Sequence, residues 1–187
     1  MKIGNSISED DVTYIIIHNI FKLNKINVID VSYHGAKSDR PPLLPEPQLG
    51  KAQWRIYNYI VAYSKNKIIF QENKGIFNLK AINADINKVS KLKNNILEID
   101  SVYKYAENEN LKVEKIIVGV GFAKSSNMTK AFNLIEFDKV DYFILIDVDN
   151  NEWKIYSNID DSLFEKKSGI IDLPLTYELV WSMSHKG

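Results

Sequence analysis

Residues 67–83 read KIIFQENKGIFNLKAIN. The run begins with β-branched and aromatic residues, sets Glu72 and Lys74 two positions apart, and stops at Gly75. Strand side chains alternate, so Ile68, Phe70, Glu72 and Lys74 share one face, and Ile69, Gln71 and Asn73 share the other. One face therefore passes from apolar to charged within a single strand. A carboxylate at the end of a sheet can bind Mg²⁺ as a hard oxygen ligand. A lysine beside it can orient an attacking water or stabilise charge developing on a phosphate. The ordinary alternative is that Glu72 and Lys74 are the solvated end of an edge strand, since Glu-x-Lys is common in any lysine-rich chain.

Outward from this stretch, YNYIVAYSKNKIIFQENK predicts a β-hairpin with its polar turn around Ser64–Lys67. Downstream, Ile86, Val89, Leu92, Ile96, Ile99 and Val102 recur at helical spacing and predict a long amphipathic helix from Asn83 to about Glu107. VEKIIVGVGFA is a near-continuous apolar run, as expected of a strand covered on both faces. A shorter helix is expected over Met128–Glu136. KVDYFILIDVD and EWKIYSNI predict a second hairpin turning about Asp149–Asn151. Upstream, Ser8 can cap a first helix, followed by Glu9, Asp10 and Asp11 and an apolar stripe of Val12, Ile15, Ile16, Ile20 and Leu23. A short strand, INVIDVSY, comes next. HGAKSDRPPLLPEPQLGK then carries four of the five prolines, which excludes helix and central strand. It reads as a functional loop or as a surface excursion or dimer arm. The order α, β, long loop, ββ, α, β, α, ββ predicts an α/β (α+β) domain over residues 1–187, a mixed sheet with helices packed on it.

The bulk composition sets limits. With 187 residues, 45% apolar and 26% charged, the chain has the make-up of an ordinary globular domain with one core. It has no apolar run of about 18 residues, so no membrane span is expected. Its first residues lack the apolar core of a signal peptide, so a cytoplasmic location is expected. Zero cysteines exclude a disulfide framework, a thiolate nucleophile and Cys-ligated zinc. The 24 basic and 24 acidic residues cancel, so any contact with nucleic acid must use local patches.

The segment YNYIVAYSKNKIIFQENKG, followed by a lysine-bearing helix and then KIIVGVGF, resembles the core of the PD-(D/E)XK nuclease superfamily, which includes many type II restriction endonucleases. The pattern is a helix, a hairpin with an acid on its first strand and Glu/Asp-x-Lys on its second, then a helix and another strand. VDYFILIDVDNNEWKIY also looks like the hairpin that follows the core in some of these nucleases. The resemblance spans roughly residues 55–160 and implies a restriction-endonuclease-like core. It further implies Mg²⁺-dependent hydrolysis of double-stranded DNA, Glu72 as metal ligand and Lys74 as catalytic lysine. The first acidic position is occupied by Asn58 instead, which lacks the charge of a carboxylate. With a three-residue turn, Lys65–Lys67, Asn58 shares the face of Glu72; with a two-residue turn it falls on the other face. The chain is then an inactivated nuclease, a degenerate DNA-binding relative, or a nuclease whose missing ligand comes from a remote acid such as Glu46 or Glu9. A homodimer is expected, because palindromic sites are read by two-fold symmetric proteins. The competing class is a non-enzymatic interaction or immunity protein on an α/β scaffold. A rival register takes FNLKAIN as the motif strand, with Asn78 and Lys80 as the variant pair, though only five residues then separate Glu72 from Asn78.

The remaining candidates each have an ordinary structural reading. His34, Lys37 and Arg40 form a basic patch beside the Pro-rich loop, and Lys80, Lys124, Ser125, Ser126 and Asn127 are candidate DNA contacts. Lys88, Lys91 and Lys93 form another basic patch, which reads as a solvated helix face. Asp147 and Asp149, with Asp141 in the same parity, could hold a metal, but DVDNN more simply makes a tight turn. VGVGFAKS matches no nucleotide-binding loop. His18, His34 and His185 have no metal-binding spacing.

Overall fold

In the computed structural model of the chain, the described residues are 7–31, 59–93, 103–104, 106–125, 128–159 and 162–172. The elements are α1 (Glu9–Ile15), continued by a π-helical turn over Ile16–Phe21, then β1 (Asn27–Val31), β2 (Tyr59–Ser64), β3 (Lys67–Ile76), α2 (Leu79–Leu92), β4 (Lys115–Ala123), α3 (Met128–Ala131), β5 (Tyr142–Asp147), β6 (Glu152–Ser157) and β7 (Ser168–Ile170). The seven strands form one sheet whose order follows the chain. β3, β4 and β5 run parallel, while β1 and β2 on one side and β6 and β7 on the other are antiparallel to their neighbours. The mixed sheet flanked by helices agrees with the α/β class expected from the element order.

Both faces of the sheet are covered, and alternation sorts the core into two halves. Ile69 of β3 joins Val12, Ile15 and Ile16 beneath α1. Ile68 and Phe70 join Ile82, Ile86 and Val89 beneath α2. β4 is buried along its whole length after Lys115, as its continuous apolar run requires. The N-terminus of α1 is set by the expected cap: Ser8 Oγ accepts from Asp11 N at 3.1 Å, and Asp11 Oδ2 accepts from Ser8 N at 2.7 Å. Gly75 matters here because a Cβ at that position would lie 3.0 Å from Ser8 C and still closer to Ile7 O. Its missing side chain lets the first turn of α1 rest on β3.

The expected turn around Ser64–Lys67 is present, its length, left open by the sequence, is decided, and several other expectations are corrected. The β2–β3 hairpin turns through two residues, Lys65 and Asn66, with φ of 49° and 61° and Ser64 paired with Lys67. Both φ values are positive, which is the two-residue type I′ geometry that matches strand twist. This is not the three-residue turn under which Asn58 would share the face of Glu72; Tyr59 pairs with Glu72, and Asn58 lies outside the described residues. α2 begins at Leu79 rather than Asn83, because the Asn78 side chain accepts from Ala81 N at 3.1 Å and caps the helix there. That cap also removes the rival register, since Asn78 caps α2 and Lys80 lies on its first turn rather than on a strand. Ile96, Ile99 and Val102 lie outside the described residues. The helix expected to reach Glu136 stops at Ala131 and gives way to 3₁₀ turns. Asn83 replaces the helical bonds, accepting from Glu136 N and donating to Leu134 O, both at 3.1 Å. Leu23 is exposed rather than part of the apolar stripe.

A buried hydrogen-bonded chain crosses the α1 face of the sheet. Tyr142 Oη donates to Gln71 Oε1 (2.5 Å), Gln71 Nε2 to Asn73 Oδ1 (2.8 Å), and Asn73 Nδ2 to Thr13 Oγ1 (2.9 Å). Thr13 Oγ1 in turn donates to Glu9 O at 2.9 Å. These polar groups satisfy one another in the interior, as buried polar groups must. Gly121 on β4 leaves the space they need: a Cβ there would sit 2.6 Å from Asn73 Oδ1 and 3.0 Å from Gln71 Nε2. The VGVG run is therefore a packing requirement of the sheet. Gly121→Ala should lower the unfolding free energy by about 1–3 kcal/mol, measured by urea denaturation, whereas Lys115→Ala on the exposed start of β4 should change it by less than about 0.5 kcal/mol.

Candidate active site

The end of β3 that opened the sequence reading carries a chain of five charges that alternate in sign. The Lys88 ammonium lies 3.2 Å from Glu72 Oε1 and 3.3 Å from Asp85 Oδ1. Lys74 Nζ lies 3.6 Å from Asp85 Oδ2 and 2.6 Å from Glu9 Oε1. Three elements supply these groups. β3 gives Glu72 and Lys74 because alternation continues the α2-facing row past Phe70. α2 gives Asp85 and Lys88, which flank the buried stripe of Ile82, Ile86 and Val89. α1 gives Glu9 because Gly75 lets its first turn approach.

The chain runs from core to surface. Side-chain exposure rises from 1% at Glu72 and 8% at Asp85, through 19% at Lys88, to 25% at Glu9 and 28% at Lys74. The electrostatics follow. Burial pushes the Glu72 carboxyl up to about 8, with the Asp85 charge adding to it and Lys88 and Lys74 opposing it. Burial also raises Asp85, against the pull of Lys88 and Lys74. Burial pulls the Lys74 ammonium down, but its hydrogen bond to Glu9 and the charges of Asp85, Glu9 and Glu72 outweigh that and leave it raised.

Two oxygens of this cluster are buried without a hydrogen bond, Glu72 Oε2 and Asp85 Oδ2. A buried acceptor left in this state is costly, and a cation is one way to satisfy it. Among the described residues no group of three acidic, histidine or cysteine side chains is placed to hold a metal. Mg²⁺ does not need one, because it keeps several waters and is bound through one or two carboxylates together with substrate phosphates. In donor chemistry, Glu72 and Asp85 fit that requirement.

The other expected residues have definite places. Lys124 and Ser125 follow β4 at the carboxyl end of the parallel strands, where open α/β sheets bind their ligands. Lys124 is paired with Asp147 at 2.6 Å, and Ser125 Oγ donates to Phe77 O at 3.4 Å. Lys80 is exposed on the first turn of α2. Asp147 accepts from Asn150 N and Nδ2, so it builds the β5–β6 turn, while Asp141 lies beyond the other end of β5, held by Lys93 and Val118 N. His18 packs against Tyr14, with ring centroids 4.1 Å apart and the planes tilted by 35°. His34, Lys37, Arg40, Glu46, Asn58, Ser126 and Asn127 lie outside the described residues.

Asp85 belongs to the cluster although the sequence does not single it out, and Lys88, expected on a solvated face, lies between two buried acids. Their i, i+3 spacing at the margin of the apolar stripe was the available signal. No family model, curated protein or solved structure matches the chain, so the side-chain geometry carries the functional argument.

A carboxyl raised on folding binds more protons in the folded state. Stability should therefore fall as pH rises from about the unfolded value of 4.5 to about 8. Glu72→Gln should flatten that decline, so its stability relative to the parent should improve between pH 5 and pH 8.5, as read from thermal unfolding at the two pH values. An unchanged difference would mean that Glu72 does not titrate in this range.

Proposed function

We propose that the chain is a DNA endonuclease of the PD-(D/E)XK kind, most like a type II restriction enzyme, that hydrolyses phosphodiesters of double-stranded DNA with Mg²⁺. One observation carries this reading: near the end of β3 the Glu72-x-Lys74 pair sets a buried carboxylate oxygen that accepts no hydrogen bond beside a second carboxylate, Asp85, whose own unbonded oxygen faces the Lys74 ammonium at 3.6 Å. The order of helix, hairpin, helix and parallel strand around that pair supports it, being the pattern of the resembling family.

Glu72 and Asp85 would hold the metal. Mg²⁺, when bound, lowers the pKa of its water and stabilises charge on the phosphate oxygens. The chain's own residues do the rest. Lys74, the most exposed member of the cluster, offers its ammonium at the mouth of the site to a scissile phosphate oxygen or to the attacking water. Glu9 fixes that ammonium at 2.6 Å and keeps it charged. Lys80, Lys124 and Ser125 are the proposed contacts to the DNA backbone, and His34, Lys37, Arg40, Ser126 and Asn127 are proposed on their sequence alone. Asn58 is retained only as the family's first acidic position. Phosphate contacts of this kind fix orientation rather than sequence. Reading a palindromic site calls for a homodimer.

Plasmid incubated with Mg²⁺ or Mn²⁺ should be cleaved, and Glu72→Gln and Lys74→Ala should each slow cleavage by at least about a hundredfold, the scale of removing one charge-stabilising group. Cleavage unaffected by both would overturn the site assignment. Salt-sensitive DNA binding without cleavage would point to an inactive relative, and neither activity would point to an interaction protein.

A further inference from the structure

The ammonium of Lys88 stands between the two carboxylates that the metal reading requires. It contacts Glu72 Oε1 at 3.2 Å and Asp85 Oδ1 at 3.3 Å; the remaining oxygens of both are buried without hydrogen bonds, and that of Asp85 lies 3.6 Å from Lys74. We infer that Lys88 is a built-in cation that competes with the divalent metal for Glu72 and Asp85, so that metal binding must displace it from the site. This rests on the metal reading given above and deepens it.

Two carboxylates turned toward one ammonium satisfy that ammonium. A divalent ion taking the same donors would sit close to an uncompensated positive charge unless Lys88 withdrew, and like charges within a few ångströms in a half-buried site repel strongly. Lys88 has a way out, because its side chain is 19% exposed while Glu72 is 1% exposed. Its stem rises from the margin of α2, and such lysines can carry the ammonium to water while the aliphatic part stays packed. Lys74 is differently placed. It meets Asp85 Oδ2 at 3.6 Å, but its closest partner, at 2.6 Å, is Glu9, which lies outside the proposed metal donors and can retain it when metal enters. The two lysines thus have separate roles: Lys74 stays at the mouth, whereas Lys88 holds the buried acids together without metal and moves outward with it.

The experiment is a calorimetric titration of the full chain with MnCl₂, on the parent, Lys88→Met, Lys88→Arg and Glu72→Gln. Removing the competing charge should tighten Mn²⁺ binding by roughly tenfold or more in Lys88→Met. Lys88→Arg, which keeps a cation between the acids, should bind like the parent. Glu72→Gln should bind far more weakly than the parent. Should Lys88→Met fail to fold, Lys88→Gln removes the charge while keeping a hydrogen-bond donor and carries the same expectation. Binding that Glu72→Gln abolishes but that is equal or weaker in the charge-removing Lys88 variant would overturn the competition and leave the metal site standing. Binding indifferent to Glu72→Gln, or absent from every protein, would overturn the metal reading and this inference with it.

Discussion

A ten-residue strand covered on both faces has no solvated side on which to place a charge. β3 is such a strand, lying between β2 and β4 with α1 over one face and α2 over the other, yet alternation puts Glu72 in the buried row behind Phe70. Taking a carboxylate out of water without compensation costs far more than one side chain's packing returns. The interior answers in two ways: Glu72 is pushed toward its neutral form, and an ammonium from α2 is drawn to it. The remaining charges follow in sequence. Lys88 is shared with Asp85, Asp85 with Lys74, and Lys74 with Glu9, each partner more exposed than Glu72. The cluster is how the fold accommodates one buried acid.

A half-satisfied polar cluster is a poor way to stabilise a protein. Replacing buried ion pairs by apolar side chains is often neutral or favourable, and two oxygens of this cluster remain without hydrogen bonds. Strained electrostatics of this type gather at functional sites. The neighbouring polar chain of Tyr142, Gln71, Asn73 and Thr13 makes the contrast. It lies on the opposite face of the same strand, ends on the backbone of α1 and runs through four side chains bonded in series. That chain reads as architecture; the charged cluster is the proposed site. Gly75 and Gly121 both open the α1 face, one admitting the helix that carries Glu9 and the other the amides that hold it.

Much of this was legible in the sequence, for local reasons. The alternation of residues 67–74 assigned the two faces of β3, the apolar run through Val118–Phe122 announced a strand covered on both sides, and Ser8 with the acids after it marked the start of α1. What stayed hidden depended on pairings that no local pattern records. Lys65 and Asn66 lack the Asn-Gly signature of a type I′ turn, and strand twist supplies the positive φ values. Asn78 could be read as a strand residue until its side chain was seen capping α2. Asp85 and Lys88 look like one more solvated ion pair, because the acid they answer to lies more than ten residues upstream. β7 is three residues long and exists through its pairing with β6.

The central claim is that Glu72 and Asp85 form a cation site at the end of β3. Crystals of the chain soaked in Mn²⁺, with anomalous difference density calculated at the manganese edge, test it directly. The account predicts a peak within ligand distance of carboxylate oxygens of both residues, with the Lys88 ammonium no longer between them. A protein that takes up Mn²⁺ elsewhere, or holds none while Lys88 still bridges the two acids, would contradict it.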